Sequence, residues 1–382
     1  MSRGPRVAVV FDWLVTRAGG ERVLEEVLGL YPAADLFSLL DFLPDNERGF
    51  LRGRAVRTTF FQSLPFARSK YRHYLPLMPA AVESIDVSGY DLVISLSHAV
   101  AKGVLTGPNQ THVSYVFSPM RYALDLRHSY LRETGNHRGW RGILAHTMLS
   151  GLRVWDATTS QNVDAMATLS HFVGRRIQKA YGRQARVIYP SVAIESFPLR
   201  EKKENHYVTV SRLVPYKRVD AIVEAFRFLP DKRLVVIGSG PEESKIKAKA
   251  GANVAVLGRL PEAEVSDWMG RAKGFLFAAE EDFGIAPLEA QSCGTPVIAL
   301  GRGGARETIL GIDQKSPTGL FFDSQEPNVI ADAVRQFESW GPVFDPVACR
   351  RNAERFSAER FRLAFAGFVQ EALANAQREG AL

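Results

Sequence analysis

The sequence predicts an α/β protein with two doubly wound domains, each a parallel sheet covered by helices. Short, almost wholly apolar segments alternate along the chain with helical segments whose apolar residues stand three and four apart. A polar break at Lys202-Lys203-Glu204-Asn205 separates two such series. With 382 residues, the chain is also long enough for two domains with separate cores.

The first series begins with a predicted strand over 6–14 and a helix over 21–28. The paired glycines Gly19-Gly20 lie between them, where bare backbone can approach a ligand and leave N–H groups free for an anion or a sugar. Glycines also form tight turns for structural reasons, so the pair alone does not establish a site. Further strands are predicted over 35–40, 56–61, 91–97 and 111–117.

The composition indicates a globular protein with an anionic partner. The formal net charge of +7 suits nucleic acid, a phosphorylated metabolite or an acidic membrane surface. Two cysteines, Cys293 and Cys349, cannot form a disulfide framework and suit a reducing compartment. No signal peptide follows Met1, and no apolar run approaches the roughly 18 residues of a membrane-spanning helix. We therefore expect a cytoplasmic protein whose membrane contact is peripheral.

Two segments, 50–78 and 121–153, interleave basic and aromatic residues. This pattern suits anionic lipid headgroups, but it equally suits single-stranded nucleic acid or a solvated basic face over core aromatics. The residues concerned are Arg52, Arg54, Arg57, Arg68, Lys70, Arg72 and His73 among Phe60, Phe61, Phe66, Tyr71 and Tyr74, and then Arg127, His128, Arg132, Arg138, Arg141 and Arg153 among Tyr122, Tyr130 and Trp140.

The second series follows a strand that runs into a linker over 184–192. Its predicted strands are 207–213, 233–238, 254–260, 274–279, 297–300 and 318–322, and its predicted helices are 219–229, 242–250, 262–271 and 328–340. A last helix over 353–376 is expected to pack back across the domain junction. The predicted boundaries are 1–190, 191–355 and 356–382.

Two carboxylates flank one strand-to-helix turn of this second series. Glu281 follows the strand over 274–279, and Glu289 lies in the first turns of a helix that holds Pro287 near its start and ends at Gly294. Ligands of open parallel sheets bind beyond the carboxyl ends of the strands. The alternative is that Glu281 is a solvated loop charge and that Glu289 is favoured by the helix dipole.

Four features of the second half stand at successive strand ends, which share one edge of a parallel sheet. Arg212 and Lys217 would supply fixed positive charge, and the helix starting near Ile285 would point its positive end to the same place. A phosphorylated ligand, a nucleotide above all, is expected there. The features are Ser211-Arg212-Leu213 with Lys217, Gly238-Ser239-Gly240, Glu281 with Glu289, and Gly301-Arg302-Gly303-Gly304.

Motifs for phosphate-bound or protein-bound metal are missing from the sequence. It has no GxxxxGK[ST] loop, no clustered Cys/His spacing and no Asp-x-Asp pair that would chelate a divalent ion on a diphosphate. We therefore expect no metal site.

These motifs resemble those of the retaining glycosyltransferases of family 4, over essentially the whole chain. The resemblance rests on Ser211-Arg212-Leu213-x-x-x-Lys217, Glu281-Asp282-Phe283-Gly284-x-x-x-x-Glu289-Ala290-x-x-x-Gly294-x-Pro296-Val297-Ile298-Ala299 and Gly19-Gly20-x-Arg22. It implies the GT-B fold, in which two Rossmann-like domains face each other across a cleft. Residues 1–190 would bind the acceptor and face the membrane, and residues 191–355 would bind the nucleotide sugar.

Within that family the chain resembles bacterial mannosyltransferases of O-antigen and exopolysaccharide assembly. This rests on Asp91-Leu92-Val93-Ile94-Ser95-x-Ser97-His98-Ala99-Val100-Ala101-Lys102-Gly103 and Ser118-Pro119-Met120-Arg121-Tyr122-Ala123-x-Asp125. Relatives generally have His-Thr-Pro-Met-Arg-Tyr, whereas Phe117-Ser118 precedes Pro119 here. If that histidine touches a sugar in relatives, its role is vacant here or is taken by His98. The alternative for His98 is a satisfied histidine at a strand end.

The resemblance also implies a role for each site residue. Arg212, Lys217 and the helix N-terminus would stabilise the departing diphosphate, Glu281 would hold sugar hydroxyls, and Glu289 would accept both ribose hydroxyls. Base recognition is expected near Arg259. The implied catalytic residues are Glu281, Arg212, Lys217 and His98; the donor-binding residues are Gly19, Gly20, Gly238, Arg259, Phe283, Gly284, Ile285, Glu289 and Gly304; the acceptor-binding residues are Arg121 and Tyr122.

The expected function is a metal-independent, retaining transfer of a hexose, mannose from GDP-mannose, onto a lipid-linked saccharide. The expected partners are the nucleotide-sugar donor, that acceptor and an anionic membrane surface, with no nucleic acid and no cofactor. Three alternatives stay open: a UDP-sugar-dependent transferase, an epimerase or phosphorylase of the same fold, and a catalytically silent subunit that binds a nucleotide sugar.

Overall fold

The computed structural model describes residues 4–121, 123–124 and 139–379. The chain divides into two compact units, the first formed by Met1–Pro190 with Phe361–Leu382 and the second by Ser191–Arg360. Each unit is built around its own parallel sheet, as the alternating pattern predicts.

A seven-stranded sheet forms the centre of the first unit. Its strands are β1 Val7–Phe11, β2 Asp35–Ser38, β3 Val56–Thr58, β4 Leu92–Ser97, β5 Thr111–Val116, β6 Ala165–Thr168 and β7 Arg186–Val187. All neighbours pair in parallel, in the order β3-β2-β1-β4-β5-β6-β7. The order reverses between β1 and β4, so the ends of these two strands lie at a topological switch point, where sheets of this kind bind ligands.

The helices of the first unit pack their apolar faces on this sheet. They are α1 Gly19–Leu30, α2 Ala67–Lys70, α3 Met78–Glu83, α4 Gly139–Thr159 and α5 His171–Tyr181. One core cluster joins Val10 and Val93 of the sheet to Met78 of α3 and Leu149 of α4. Short 3₁₀ helices run over Phe60–Ser63, Tyr71–Leu77 and Ala101–Gly103.

The second unit has a six-stranded sheet in the order β10-β9-β8-β11-β12-β13, again with parallel neighbours. The strands are β8 Tyr207–Val210, β9 Leu234–Ile237, β10 Val254–Gly258, β11 Gly274–Phe277, β12 Val297–Leu300 and β13 Gly319–Phe322. Alternate residues serve two core clusters, with Leu276 in one and Phe275 in the other, so both faces are covered. The switch point lies between β8 and β11.

The helices of this unit are α6 Val219–Ala225, α7 Glu243–Lys249, α8 Glu262–Arg271, α9 Ile285–Ser292, α10 Ala305–Thr308, α11 Pro327–Trp340 and α12 Pro346–Ala353. The 3₁₀ helices of this unit include Pro215–Lys217, which precedes α6, and Glu354–Phe356, which follows α12. The last helix, α13 Ala358–Glu379, belongs to the first unit from Phe361 onward. There the rings of Phe361 and Phe365 lie 6.0 and 6.2 Å from the ring of Tyr115 on β5.

The predicted elements differ from the observed ones mainly at their ends. The strand over 297–300 and the helix over 262–271 are confirmed to the residue. The strand over 56–61 ends at Thr58 because a 3₁₀ turn follows it. The helix over 353–376 begins at Ala358 because a 3₁₀ turn, Glu354–Phe356, precedes it. Several elements were not predicted at all, among them α4, β6, α5 and α12. Among the helices of the described residues, none has the length and apolarity to cross a bilayer.

Candidate functional site

Two charged side chains meet at the switch point of the second unit. Lys217 ends the 3₁₀ turn after β8, Glu281 lies in the loop after β11, and these strands are neighbours in the sheet. The ammonium of Lys217 contacts the carboxylate of Glu281, and both side chains are largely buried. Burial lowers the pKa of Lys217 to about 8, although the nearby charge of Asp282 acts in the opposite direction. The structure thus brings together two of the residues that the sequence assigned to one site.

A glycine turn after β12 packs on the backbone of Glu281. The N–H of Gly304 donates to the Glu281 carbonyl over 2.8 Å. At Gly303, which has a φ of +67°, a Cβ atom would lie 2.4 Å from the same oxygen. Only glycine therefore permits this close approach, which fixes the position of the Glu281 loop relative to the turn after β12.

A second glycine turn, after β9, packs on the loop that carries Arg212. A Cβ atom on Gly238 would lie 1.8 Å from the carbonyl oxygen of Ser211, and φ is +137° there. The N–H of Leu213 donates to the Ser239 carbonyl over 2.9 Å. The glycine turn after β9 thus packs on the loop that holds Arg212, and the glycine turn after β12 packs on the loop that holds Glu281.

Two predicted cations are not joined to this cluster. Arg212 and Arg259 are both exposed, and among the described residues neither side chain has a hydrogen bond or ion pair. Arg212 lies one residue beyond the Ser211 carbonyl that packs on Gly238, so its backbone is fixed while its guanidinium faces water.

Helix α9 starts at this edge of the sheet. Its N-cap, Gly284, has a left-handed φ of +94°, and Ile285 is its first residue. Glu289 lies in its second turn and is half-buried. The Phe283 ring is buried and lies 5.6 Å from the ring of Phe356, so its side chain serves the core of the unit. A ligand at the start of this helix would meet Phe283 through its backbone.

In the first unit, an aspartate that the sequence analysis did not single out organises the switch point. Asp12 follows β1 and is fully buried. Its carboxylate accepts hydrogen bonds from the backbone N–H groups of the turn after β4, and its Oδ2 lies 2.9 Å from His98 Nδ1. The only sequence signal was a buried-strand carboxylate next to a predicted ligand loop.

His98 lies among aromatic rings at the same place. Its ring centroid is 4.3 Å from that of Trp13, 6.1 Å from Phe11 and 6.3 Å from Phe117. Burial lowers the pKa of His98, but the Asp12 carboxylate outweighs it and the net pKa is raised. Burial likewise opposes ionisation of Asp12, whereas His98 brings its pKa below the usual value.

The glycine pair of the first unit lies beside the same rings. Gly19 starts α1, and a Cβ atom on Gly20 would lie 3.5 Å from Phe11 and 3.6 Å from Phe117. Phe117 therefore lies close to both Gly20 and His98. The structure brings these residues together in the first unit, as it does Lys217 and Glu281 in the second.

The structure describes one of the two predicted acceptor-binding residues. Arg121 is half-buried, whereas Tyr122 lies outside the described residues, as do Arg127, His128, Tyr130, Arg132 and Arg138. In the first basic segment, Phe61 and Tyr71 are buried, as the solvated-face alternative requires. Phe60 and Phe66 are exposed there, Phe66 at 73%, which a core role does not explain.

In the described part of the chain, no group of three or more His, Cys, Asp or Glu side chains is arranged to hold a metal ion. Metal independence of the reaction stays a prediction.

Comparison with known proteins places this site in a family context. Residues 192–355, which include Lys217 and Glu281, match the model described as "Glycosyl transferases group 1". One relative is 30% identical over 229 residues, which are 52% of this chain and 57% of that protein. It is the GDP-mannose-dependent monoacylated alpha-(1-6)-phosphatidylinositol monomannoside mannosyltransferase of Corynebacterium glutamicum. A GDP-mannose-dependent alpha-(1-6)-phosphatidylinositol monomannoside mannosyltransferase of Mycolicibacterium smegmatis is 28% identical over 52% of this chain and 58% of its own.

The aligned part thus spans little more than half the length of these curated relatives. Among solved structures, HepE of Anabaena with UDP and glucose has a TM-score of 0.69 at 16% identity, over 96% of this chain and 100% of its own. Sucrose-phosphate synthase of Thermosynechococcus elongatus has a TM-score of 0.72 at 17% identity, over 97% of this chain and 100% of its own. This chain therefore has the GT-B fold, and its residues 192–355 match a glycosyltransferase family.

Proposed function

We propose that this protein is a retaining glycosyltransferase that uses a nucleotide sugar, with GDP-mannose as the donor. The observation that carries the proposal is the contact between Lys217 and Glu281 at the switch point, inside the segment that matches a glycosyltransferase family. A fixed cation and a carboxylate side by side suit the phosphate and the sugar of one ligand. The two relatives from Corynebacterium glutamicum and Mycolicibacterium smegmatis, both named as GDP-mannose-dependent, support GDP-mannose as that ligand.

In this mechanism the bond from the anomeric carbon to the donor diphosphate breaks, and a bond from that carbon to an acceptor hydroxyl forms on the same face. The acceptor proton passes to the departing phosphate oxygen. Negative charge gathers on the diphosphate while the sugar becomes oxocarbenium-like. Lys217, Arg212 and the N-terminal end of α9 would stabilise the diphosphate, because fixed charges and dipoles act there without reorganisation.

The carboxylates divide the remaining contacts. Glu281 would hold sugar hydroxyls, and its distance from the diphosphate oxygens would be kept by Lys217, which contacts it in the free protein. Glu289, half-buried in the second turn of α9, would accept the ribose hydroxyls. His98 would meet the sugar in place of the histidine that Phe117 replaces.

The acceptor we propose is a lipid-linked saccharide, held at an anionic membrane surface. Helix α4 packs Leu149 and Leu152 in the core, yet its other face is also apolar. Ile143 is 71% and Val154 63% exposed there, and Leu144 and Met148 are exposed beside them. Exposed Arg68, Lys70 and Arg72 belong to a segment that packs, through Tyr71, in the same core cluster as α4. Apolar and basic residues together suit an anionic bilayer.

A donor panel followed by a transfer assay tests the catalytic proposal. GDP- and UDP-sugars are compared by thermal shift, and transfer from the best donor to a lipid-linked saccharide is then followed. Glu281→Ala should abolish transfer, whereas Glu280→Ala, which removes the exposed neighbouring carboxylate, should not. Turnover that survives in Glu281→Ala would remove the catalytic assignment. An epimerised sugar formed without acceptor would favour the epimerase, and donor binding without turnover would favour the silent subunit.

A further inference from the structure

Asp12 is the hydrogen-bond acceptor for a whole turn of backbone. Its Oδ2 accepts from the N–H groups of His98 and Ala99 at 2.6 and 3.0 Å, and its Oδ1 accepts from Val100 and Ala101 at 2.6 and 2.7 Å. All four donors point at one buried carboxylate, and this set of N–H groups favours its ionised form, in which both oxygens only accept hydrogen bonds. The side chain thus places a full negative charge beneath the turn.

The turn also has a second anchor. Lys102, its next residue, donates to the Ala99 carbonyl over 3.2 Å and contacts the buried carboxylate of Asp156 on α4. Tyr181 donates to the other oxygen of Asp156 over 2.8 Å. Because this buried pair already holds the backbone of the turn, the charge of Asp12 is available for something more than folding.

That additional contact is with the ring of His98. Oδ2 of Asp12 lies 2.9 Å from Nδ1, and the nearly perpendicular Trp13 ring, 4.3 Å away, blocks rotation of the imidazole. The side chain is 33% exposed, and in the described part of the chain no hydrogen bond to Nε2 is found. One ring nitrogen is thus held by protein, and the other is left for a ligand.

We propose that Asp12 is a positioning residue which acts through His98: it holds Nδ1–H and so directs Nε2–H of a protonated ring to an oxygen of the sugar substrate. This inference rests on the proposed function for its substrate, and on the Asp12 contacts for its geometry. The charged groups that face the ring are Asp12, Glu21 of α1 and Arg72 of the 3₁₀ segment after α2. Two carboxylates against one guanidinium favour the protonated ring.

The first experiment measures the protonation of the His98 ring directly and does not depend on catalysis. The ¹⁵N shifts of the ring are followed by NMR against pH in the wild-type protein, with His98→Gln to assign the signal. We expect the His98 pKa above the ordinary value of about 6.5. In Asp12→Asn, which keeps an acceptor but removes the charge, the protonation constant should fall at least about tenfold, by the Coulomb effect of a contacting charge. A wild-type pKa at or below the ordinary value would overturn the proposal, even if Asp12→Asn failed to fold.

The second experiment reads the consequence for transfer. The kcat of the wild type should fall as pH rises through the His98 pKa, and in Asp12→Asn this alkaline limb should move to lower pH by the shift that NMR measures. Asp156→Asn is the matched control, because it removes a buried carboxylate that anchors the same turn but does not touch the ring. It should lower Tm and leave the limb in place.

The outcomes separate this proposal from the proposed function. If Asp12→Asn and Asp156→Asn both lower Tm and neither moves the limb, Asp12 is merely structural and the inference is wrong. If the wild type transfers no sugar from any donor, the proposed function fails, and the NMR titration still decides whether Asp12 controls His98.

Discussion

The ammonium of Lys217 contacts the carboxylate of Glu281, although the two residues lie on separate loops of the second unit. The contact follows from the strand order, because β8 and β11 are neighbours and the loops beyond their ends share one edge of the sheet. Each charge therefore has its partner before any donor arrives. A donor diphosphate would give Lys217 a second and stronger anionic partner.

The pH dependence of donor binding should report this change of partner. Burial lowers the Lys217 pKa to about 8, so above that pH the free protein has a neutral amine there. A bound diphosphate favours the charged form and raises the pKa, so binding should take up a proton and weaken as pH rises through about 8. Titration calorimetry in buffers of different ionisation enthalpy measures the proton uptake.

Lys217→Arg provides the control for that experiment, since a guanidinium stays charged throughout this range. Its donor affinity should be almost independent of pH between about 7 and 9.5. Equal proton uptake in the variant and the wild type would show that another group titrates.

Gly238→Ala should destabilise the second unit and weaken donor binding. The left-handed backbone alone costs about 1–3 kcal/mol for a residue with a Cβ atom. Here the Cβ atom would also lie 1.8 Å from the Ser211 carbonyl, so the turn and the Arg212 loop must separate. We expect a total loss above about 3 kcal/mol in the free energy of unfolding.

Gly182→Ala is the matched control for Gly238→Ala. Its φ is +70°, but nothing lies within 4 Å of the added Cβ atom. Denaturant unfolding should show the strain cost alone, and donor binding by thermal shift should be unchanged. Similar losses in both variants would mean that the close approach to Ser211 contributes nothing.

Removing one member of the buried pair Lys102 and Asp156 should lower the free energy of unfolding far more than replacing both members by apolar residues. Both side chains are 1% exposed, so Asp156→Ala leaves an uncompensated buried ammonium and should cost about 3–5 kcal/mol. Replacing both residues, with Lys102→Met and Asp156→Leu, should recover most of that loss because no unpaired charge is left at their position. Urea unfolding of the two variants measures the difference, and a double variant as unstable as the single one would contradict it.

Much of the fold was predictable because local patterns determine it. Helix α8 was predicted to the residue, since its apolar positions recur at helical spacing between Pro261 and the buried strand that starts at Gly274. Helix α4 was missed because it is apolar on two faces: Leu149 and Leu152 pack inward while Ile143 and Val154 face solvent. A helix of this kind lacks the one-sided stripe from which amphipathic helices are identified.

Site residues could be predicted from the sequence where a charged side chain follows a strand. They could not be predicted where the hydrogen-bond partners of the side chain are backbone N–H groups. Lys217 and Glu281 were assigned to one edge of the sheet, where the structure has them in contact. Asp12 escaped because its partners are N–H groups 86 to 89 residues further along the chain, and their side chains give no sign of that contact. The buried contact of Lys102 with Asp156 was not predicted because the two side chains lie 54 residues apart in the sequence.

Binding to anionic vesicles should depend on both the basic segment and the exposed face of α4. Reversing Arg68, Lys70 and Arg72 to Glu removes charges worth about 1 kcal/mol each at an anionic surface, so binding should fall by at least about 100-fold. Ile143→Ser with Val154→Ser should weaken binding as well, because both side chains lose the apolar area they would bury in lipid. Cosedimentation with phosphatidylglycerol vesicles, beside phosphatidylcholine vesicles, measures both effects.

The controls for vesicle binding change the same chemistry elsewhere on the surface. Reversing the exposed lysines Lys245, Lys247 and Lys315 alters the net charge equally but lies in the second unit. Leu363→Ser removes an isolated leucine that is 76% exposed on α13. If the docking surface is the one proposed, these variants keep most of their vesicle binding and all variants keep donor affinity. An equal loss of vesicle binding in the lysine control would mean that only the net charge of the protein matters. A loss of donor affinity in the Arg68, Lys70 and Arg72 variant would assign those residues to donor binding instead of membrane binding.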